Sequence, residues 1–473
     1  MNKETNNFHE EEEIMEALNR YEEMIRTGES AYFDVFQLEH IIDTYMEEGS
    51  HTKALNAVLF GLKQHPASTL LLSRKASLYV FLGKTGEAQS LVAYLMTIEK
   101  NNPELFLLNG TIHLQLQAYE AAENWFQQSL NSAFDDIENI HYQIGMSYAQ
   151  VELFEKAADH FHEAQILDPS NESTLFELAY CYEKINKDAL SVHYYQRYLD
   201  LDTFSDIAWF NLGIVYNKLQ KNKKAVEAYE YALALTENFP GALYNLGSTY
   251  LVMRKYKKAL LVFNDFLNYV ELSEEVLCAT GECFYHLGEH DRALDTFVRT
   301  LEMNNNYDPA WYGAGQVHKK IGNLPEALNC LRKAVALNGD FEEYWYLLGR
   351  IAFSLQQWTE SVAAFEIACH LDPERAKYWL WRAEALKQQG MVRKALETLK
   401  KSLGFHPDKG KIRYRMAALY LELKQEKKAL NELNIALQTH YSKHHLLYRM
   451  HPASKTNPAV QKLIHQFRNI QRL

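Results

Sequence analysis

A pattern of large, small and polar positions repeats along the chain and is clearest between residues 206 and 239. Each half of this segment carries its own set of apolar and small residues at helical spacing. The first set is Trp209, Leu212, Gly213 and Tyr216, and the second is Ala225, Tyr229 and Ala232. A small residue lets two helix backbones approach closely, while its large neighbours fill the remaining space. The pattern therefore predicts two helices that are joined by a short turn and packed face to face.

The same pattern recurs with a period of 34 residues over most of the chain. The crossing position of the first helix, usually a small residue, falls at Ile42, Ala76, Gly110, Gly145, Ala179, Gly213, Gly247, Gly281, Gly315, Gly349, Ala383 and Ala417. A second series in the same phase falls at Ala54, Ala88, Ala122, Ala157, Ser191, Ala225, Ala259, Ala293, Ala327, Ser361, Ala395 and Ala429. One interval, between Gly110 and Gly145, is 35, and we place the extra residue in the connection 134–137. Two registers held in phase predict twelve repeats.

The repeated motif resembles that of a known family. Trp-x-x-Leu-Gly-x-x-Tyr followed by Ala-x-x-x-aromatic is similar to the tetratricopeptide repeat, a helix-turn-helix unit of about 34 residues. The resemblance covers residues 35–441. It implies an all-α, right-handed superhelical solenoid whose first helices line the concave side. It also implies a non-enzymatic scaffold or adaptor that binds a peptide or partner protein in its concave groove.

The segments outside the repeats predict helices at both ends. Residues 8–27 place Ile14, Leu18, Tyr21 and Ile25 at helical spacing, and we assign residues 1–34 to an acidic N-terminal capping helix, which a solenoid needs over its exposed end. At the other end, residues 442–473 form a basic segment in which 451–457 reads as a loop. The following helix, 458–473, has Val460, Leu463, Ile464 and Phe467 on one face. A terminal cap and a detachable partner-binding helix are both open interpretations of it.

Charge is distributed unevenly along the chain. The net charge is -12, yet residues 1–172 carry 10 Lys and Arg against 28 Asp and Glu, which gives -18. Residues 376–473 carry 20 against 6, which gives +14. An acidic total disfavours general nucleic-acid binding, whereas the basic end favours an acidic partner segment. The candidate basic patch consists of Lys377, Lys387, Lys409, Lys411, Arg413 and Arg415.

No motif typical of catalysis or of a bound cofactor stands out in the sequence. Gly83-Lys84-Thr85 imitates the end of a phosphate-binding loop, but Leu78 stands where that loop needs a glycine. The five cysteines have no disulfide or zinc spacing. We therefore expect no catalytic residues, no cofactor, no metal and no small-molecule substrate. The chain has no secretory signal and no apolar run long enough for a membrane span, so we expect a soluble, cytoplasmic protein.

An aromatic row on the first helices is the candidate binding surface. The residue right after the Trp209 position is aromatic in seven repeats, as Tyr142, Phe176, Phe210, Tyr244, Tyr312, Tyr346 and Tyr414. We call these residues the aromatic row. Four positions further on, Arg350 joins this face of its helix. The tetratricopeptide consensus often has tyrosine in the row, so core packing and a ladder for a partner peptide both remain open.

Two further functions stay open at the level of sequence. A regulatory subunit of an enzyme supplied in trans would use the same groove. A helical-repeat RNA binder is compatible with the basic C-terminal quarter, although the acidic total disfavours it. The motif predicts the fold and leaves the partner and the oligomeric state open.

Overall fold

The computed structural model describes residues 2–270, 272–406 and 409–470, and these residues form helices and turns with no β-strand among them. Residue contacts divide the chain into two compact units, Met1–Phe239 and Pro240–Leu473. The predicted all-α repeat fold is confirmed. Consecutive helices pack against each other throughout each unit, as in a solenoid in which every repeat contacts its neighbours.

In the described residues of the first unit, a leading helix precedes six helix pairs. The leading helix is α1 (Asn2–Thr27), and the pairs are α2 (Val35–Glu47) with α3 (His51–Gln64), α4 (Thr69–Phe81) with α5 (Thr85–Ile98), α6 (Pro103–Gln115) with α7 (Tyr119–Ser132), α8 (Ile137–Gln150) with α9 (Phe154–Leu167), α10 (Glu172–Lys184) with α11 (Asp188–Leu201), and α12 (Asp206–Lys218) with α13 (Asn222–Leu235).

In the second unit, the part that the structure describes has six more pairs and a C-terminal segment. The pairs are α14 (Pro240–Val252) with α15 (Tyr256–Phe266), α16 (Glu274–Leu287) with α17 (His290–Met303), α18 (Asp308–Ile321) with α19 (Leu324–Leu337), α20 (Glu342–Ser354) with α21 (Trp358–Leu371), α22 (Ala376–Gln388) with α23 (Val392–Phe405), and α24 (Gly410–Glu422) with α25 (Glu426–His440). The segment contains a 3-10 turn (Tyr441–Lys443), α26 (His445–Met450), a second 3-10 turn (Pro452–Lys455) and α27 (Pro458–Ile470).

The turn inside each repeat closes on a residue with left-handed backbone conformation. These residues are Gly49, Gly83, Gln117, Glu152, Asn186, Gln220, Arg254, Gly288, Gly322, Gln356, Gly390 and Lys424, with φ between 57° and 87°. Glycine adopts this conformation freely, whereas another residue type is strained there by about 1 kcal/mol. Seven of the twelve positions are not glycine, so tertiary packing imposes the turn on residues that do not prefer it.

Six of the seven crossing glycines lie against an aromatic ring sixteen residues later, and Gly315 lies against Leu331. A Cβ added to Gly247 would lie 2.5 Å from Cε1 of Phe263, and one added to Gly213 would lie 2.5 Å from Cε1 of Tyr229. Where the crossing residue is Ala383, the facing position holds Leu399, and both residues belong to one buried cluster. Glycine therefore makes room for a ring, and alanine mostly accompanies a smaller side chain.

The tryptophan of the motif is tied to the loop before its helix. In four repeats the indole Nε1 donates to the backbone carbonyl six residues earlier. The pairs are Trp209 with Thr203 (3.0 Å), Trp311 with Asn305 (2.8 Å), Trp345 with Gly339 (2.8 Å) and Trp379 with Pro373 (2.9 Å). Each bond fixes the entry of the chain into the first helix.

The 35-residue interval belongs to the start of α8. This helix begins at Ile137, eight residues before Gly145, whereas α6 begins at Pro103, seven residues before Gly110. Asp136, just before α8, has a left-handed φ of 62°. The extra residue thus lengthens the first turn of α8 at the end of the predicted connection.

The first helix packs on the repeats with a face slightly different from the predicted one. Ala17, Tyr21 and Met24 are buried against α2, and Leu18 packs beside them. Ile25 is 62% exposed, so its predicted place on the buried face was wrong. The side chain of Ile14 lies outside the described residues.

The C-terminal segment packs on the last repeat. Helix α26, which the sequence did not predict, contacts α24, and α27 contacts α25. Val460 and Ile464 are buried, with Leu463 and Phe467 packed beside them, so the predicted apolar face of this helix is confirmed. The predicted loop at 451–457 contains the second 3-10 turn, and residues 471–473 of the predicted helix lie outside the described residues.

Candidate partner-binding surface

In the first unit the aromatic row consists of Tyr142, Phe176 and Phe210, and all three side chains are half-buried. Their rings pack on the second helix of their own repeat. The ring centroid of Phe210 lies 6.0 Å from that of Tyr229, and that of Phe176 lies 5.7 Å from that of Tyr195. The row therefore shares its rings between the core and an accessible surface.

In the second unit Tyr244, Tyr312 and Tyr346 are likewise half-buried. The ring of Tyr312 stacks on that of Tyr344, with centroids 4.5 Å apart. The hydroxyl of Tyr344 donates to Asp308 at 3.0 Å, which holds the stack in place. These rings have a fixed orientation before any partner arrives.

Cys278 interrupts the row between Tyr244 and Tyr312. It is half-buried, and the pKa of its thiol is raised to about 12. Burial is the main cause of this shift, and the negative charge of the Glu282 carboxylate adds to it. The thiol is therefore protonated at neutral pH and does not act as a nucleophile. The 34-residue spacing locates this position, but a cysteine gives no aromatic signal in the sequence.

Tyr414 does not belong to the accessible surface, and its assignment to the groove was wrong. Its side chain is fully buried, beneath Leu447 of α26 and beside Val460 of α27. Its hydroxyl donates to the carbonyl oxygen of His440 at 2.9 Å. The C-terminal segment thus covers the last member of the row, and a partner cannot contact it there.

Arg350 lies at the centre of an aromatic and cationic surface in the second unit. Its guanidinium carbon is 4.0 Å from the ring centroid of Trp381, and its Nη1 donates to the hydroxyl of Tyr346 at 3.1 Å. These contacts hold the guanidinium over an aromatic face. We call Tyr312, Lys319, Tyr346, Arg350 and Trp381 the Arg350 surface.

Lys319 is the second cation of this surface. It is exposed, yet burial lowers the pKa of its ammonium, and the nearby charges of Arg350 and Lys320 lower it further. Glu282 behaves in a similar way, because its side chain is 48% accessible while burial raises the pKa of its carboxyl. Sequence reasoning missed both Lys319 and Trp381, since neither stands at the two row positions that it considered.

The predicted basic patch is largely neutralised by carboxylates. Four of its six members form ion pairs, namely Lys377 with Glu343 (2.5 Å), Lys387 with Glu422 (3.4 Å), Arg413 with Glu432 (2.9 Å) and Arg415 with Glu384 (3.3 Å). Lys409 and Lys411 are exposed. The positive charge offered to a partner is therefore smaller than the residue count predicts.

The described residues contain neither a metal-binding cluster nor a helix suited to a membrane. In those residues, no three His, Cys, Asp or Glu side chains are arranged to hold a metal ion. No helix in the described part of the chain combines the length and the apolar character that a bilayer crossing requires.

Comparison with known proteins identifies the family. The family described as "Cilia and flagella-associated protein 70 C-terminal domain", a tetratricopeptide-repeat domain, matches residues 203–447, which is just over half of the chain. No curated protein shows significant similarity to the chain.

Solved structures of repeat proteins are similar to parts of the chain. A tetratricopeptide repeat protein from Parabacteroides merdae is 17% identical, with a TM-score of 0.45, over 53% of this chain and 98% of its own. YrrB, described as a tetratricopeptide-repeat protein with an unusual peptide-binding site, is 20% identical, with a TM-score of 0.31, over 39% of this chain and 95% of its own. The Cut9-Hcn1 hetero-tetramer of the APC/C contains a chain that is 13% identical, with a TM-score of 0.38, over 92% of this chain and 96% of its own.

The family match, the twelve helix pairs and the repeated crossing positions lead to one classification. Tetratricopeptide-repeat domains are, as a class, protein-interaction scaffolds. The chain belongs to the tetratricopeptide-repeat family, in the group of the cilia and flagella-associated protein 70 C-terminal domain.

Proposed function

We propose that the second unit binds an acidic segment of a partner protein on the Arg350 surface. The observation that carries the proposal is the state of its two cations. Arg350 is held over Trp381 at 4.0 Å, and neither Arg350 nor Lys319 forms an ion pair among the described residues. A partner carboxylate would gain a charge-assisted hydrogen bond from a guanidinium that is already oriented.

The rings around Arg350 supply the apolar part of the contact. Tyrosine and tryptophan offer large contact area at small cost in side-chain entropy, and a few such anchors usually dominate binding. Tyr346 contributes both kinds of contact, because its hydroxyl accepts from Arg350 while part of its ring stays accessible. A partner segment that alternates acidic and apolar residues fits this surface.

The proposal is tested with two labelled peptides of equal length, one of alternating Glu and Leu and the other of alternating Gln and Leu. Fluorescence anisotropy with the full chain measures both affinities at low and at physiological salt. We expect the Glu peptide to bind more tightly and to weaken as salt screens the charges. Arg350→Gln should lower its affinity about tenfold or more, since it removes a hydrogen bond between charged groups.

Arg332→Gln is the matched control, because Arg332 lies in the same unit but already pairs with Glu360 at 2.7 Å. It should leave peptide binding unchanged. Equal affinities for the two peptides, or an Arg350→Gln variant that binds like the wild type, would refute the proposal.

The natural partner can be sought by affinity purification with wild-type and Arg350→Gln baits. A protein retained only by the wild type is the expected result, and a stoichiometric enzyme in that fraction would make the chain a regulatory subunit. The proposal involves no catalytic step and assumes a cytoplasmic location. In the first unit, Phe210→Ala tests whether the aromatic row contributes separately, with an expected loss of about 1 to 3 kcal/mol of binding.

A further inference from the structure

One position of the repeat is usually apolar but holds a cation in two of the twelve repeats. It is the residue just before the crossing small residue, and its occupants are Ile41, Lys75, Asn109, Ile144, Leu178, Leu212, Leu246, Thr280, Ala314, Leu348, Arg382 and Met416. Leu212 and Leu246 are buried in their repeats. Arg382 therefore places a guanidinium where the repeat normally places a core side chain.

The guanidinium of Arg382 is only partly satisfied. Its side chain is 17% exposed, and Nη2 pairs with the carboxylate of Glu366 on α21. The Nε–H is buried and has no acceptor among the described residues. A buried donor without an acceptor is costly, because it has lost its hydrogen bonds to water.

A cavity of about 520 Å³ lies beside Arg382, between α21, α22 and α23. This volume is within the range of small-ligand sites. Val362, Ala363, Leu386 and Met391 provide the apolar part of its lining. Lys394 and Lys401 stand exposed at its rim on α23, and the exposed Glu397 lines the cavity between them.

The first unit has a cavity at the same place in its repeat, which supports the link between the cation and the cavity. It measures about 560 Å³ and is lined by Lys75, the counterpart of Arg382. A long charged side chain keeps its head near water and leaves unfilled the space that leucine would occupy. The rims differ, because Glu87 occupies the place of Lys394 and Tyr94 that of Lys401. The Arg382 cavity therefore has the more positive rim.

We propose that the Arg382 cavity is a binding site for a carboxylate carried on an apolar stem. The carboxylate accepts from the Nε–H of Arg382 and lies near Lys394 and Lys401, while the stem packs on Val362 and Leu386. Glu366 pairs with Nη2 and leaves the buried Nε–H for the ligand. The same chemistry is offered by a small free carboxylic acid and by a glutamate between apolar residues of a peptide.

The test measures binding to the full chain by isothermal titration calorimetry with three probes. These are hexanoate, hexanol and a capped Leu-Glu-Leu peptide. We expect hexanoate or the peptide to bind and hexanol to bind at least about tenfold more weakly, since it brings no charge. Tighter binding of hexanoate indicates a free acid as the source, and tighter binding of the peptide indicates a protein segment.

Arg382→Leu is the decisive variant. Leucine is found at this position in four other repeats, and the Glu366 carboxylate that loses its partner is 58% accessible and can be solvated by water. The variant should therefore keep its thermal midpoint, or raise it, while carboxylate affinity falls about tenfold or more. Glu366→Gln should bind the carboxylate at least as tightly as the wild type, because the internal competitor is gone.

Two control variants separate this site from other cationic surfaces. Lys224 is the counterpart of Lys394 in a repeat with Leu212 at the core position, so Lys224→Ala should have no effect, whereas Lys394→Ala should weaken binding. Arg350→Gln should also leave hexanoate binding intact, which distinguishes this site from the Arg350 surface. The proposal is overturned if neither hexanoate nor the peptide binds, if hexanol binds equally well, or if Arg382→Leu binds like the wild type.

Discussion

The contact between a crossing glycine and its facing ring predicts a strong coupling between two positions. In Gly247→Ala the new methyl would lie 2.5, 2.7 and 2.9 Å from three ring carbons of Phe263. Alanine favours a helix interior over glycine by about 1 kcal/mol, whereas overpacking a core costs about 1 to 3 kcal/mol. We therefore expect the single variant to be destabilised by up to about 2 kcal/mol, despite its better helix propensity.

Replacing the ring of Phe263 by a smaller side chain should make the new methyl of Gly247→Ala stabilising instead of destabilising. Phe263→Leu alone leaves a small void and should cost about 1 kcal/mol. The double variant recreates the pair found at Ala383 and Leu399, so the methyl of alanine fills the void. The coupling energy between the two substitutions should then be about 1 to 3 kcal/mol in the stabilising direction.

Urea unfolding followed by circular dichroism at 222 nm measures this double-mutant cycle. Gly315→Ala serves as the control, since its nearest contact would be Cγ of the aliphatic Leu331 at 3.0 Å, and it should be tolerated better than Gly247→Ala. Additive effects within about 0.5 kcal/mol would refute the reasoning, because they would mean that methyl and ring do not compete for the same space.

Three further predictions concern the turns, a histidine and the C-terminal segment. Gln220→Gly should stabilise the first unit by about 0.5 to 1 kcal/mol, because it relieves a left-handed φ of 57°. Gly288→Ala should lower stability by a similar amount. Thermal denaturation of both variants tests this pair of predictions. Burial, and to a smaller extent the neighbouring His141, lowers the pKa of His160 to about 4. The contribution of neutral His160 to the free energy of unfolding is therefore complete above about pH 6.5 and is lost as the pH falls through 4. Denaturation between these pH values should show a loss of up to about 3 kcal/mol that His160→Gln abolishes. Tyr414→Phe should cost about 1 to 3 kcal/mol, measured by urea unfolding, because the carbonyl of His440 loses its buried donor.

The sequence predicted the repeated elements well because their packing is local and periodic. Gly213 and Tyr229 meet within one repeat, so the small and large positions of that repeat were sufficient to anticipate a close crossing. The position of each turn followed from the same period, although a left-handed residue such as Gln220 carries no composition signal of its own.

The surface was less predictable, because it depends on contacts between repeats and with the chain end. Tyr414 has the same motif position as Tyr346, yet α26 covers one and leaves the other accessible. The ion pairs of Lys387 and Arg413 join residues 35 and 19 positions apart, and a count of charges along the chain cannot show them. Arg382 was visible as an exception to the motif, but only its unsatisfied donor and the adjoining cavity give that exception a chemical meaning.

The hydrogen bond between each motif indole and its preceding loop allows unfolding to be followed by tryptophan fluorescence. Trp209 holds Thr203 in the first unit, and Trp379 holds Pro373 in the second. Loss of such a bond exposes the indole to water and shifts its emission to longer wavelength. A variant that keeps Trp209 as its sole tryptophan would therefore report the unfolding of the first unit separately from that of the second.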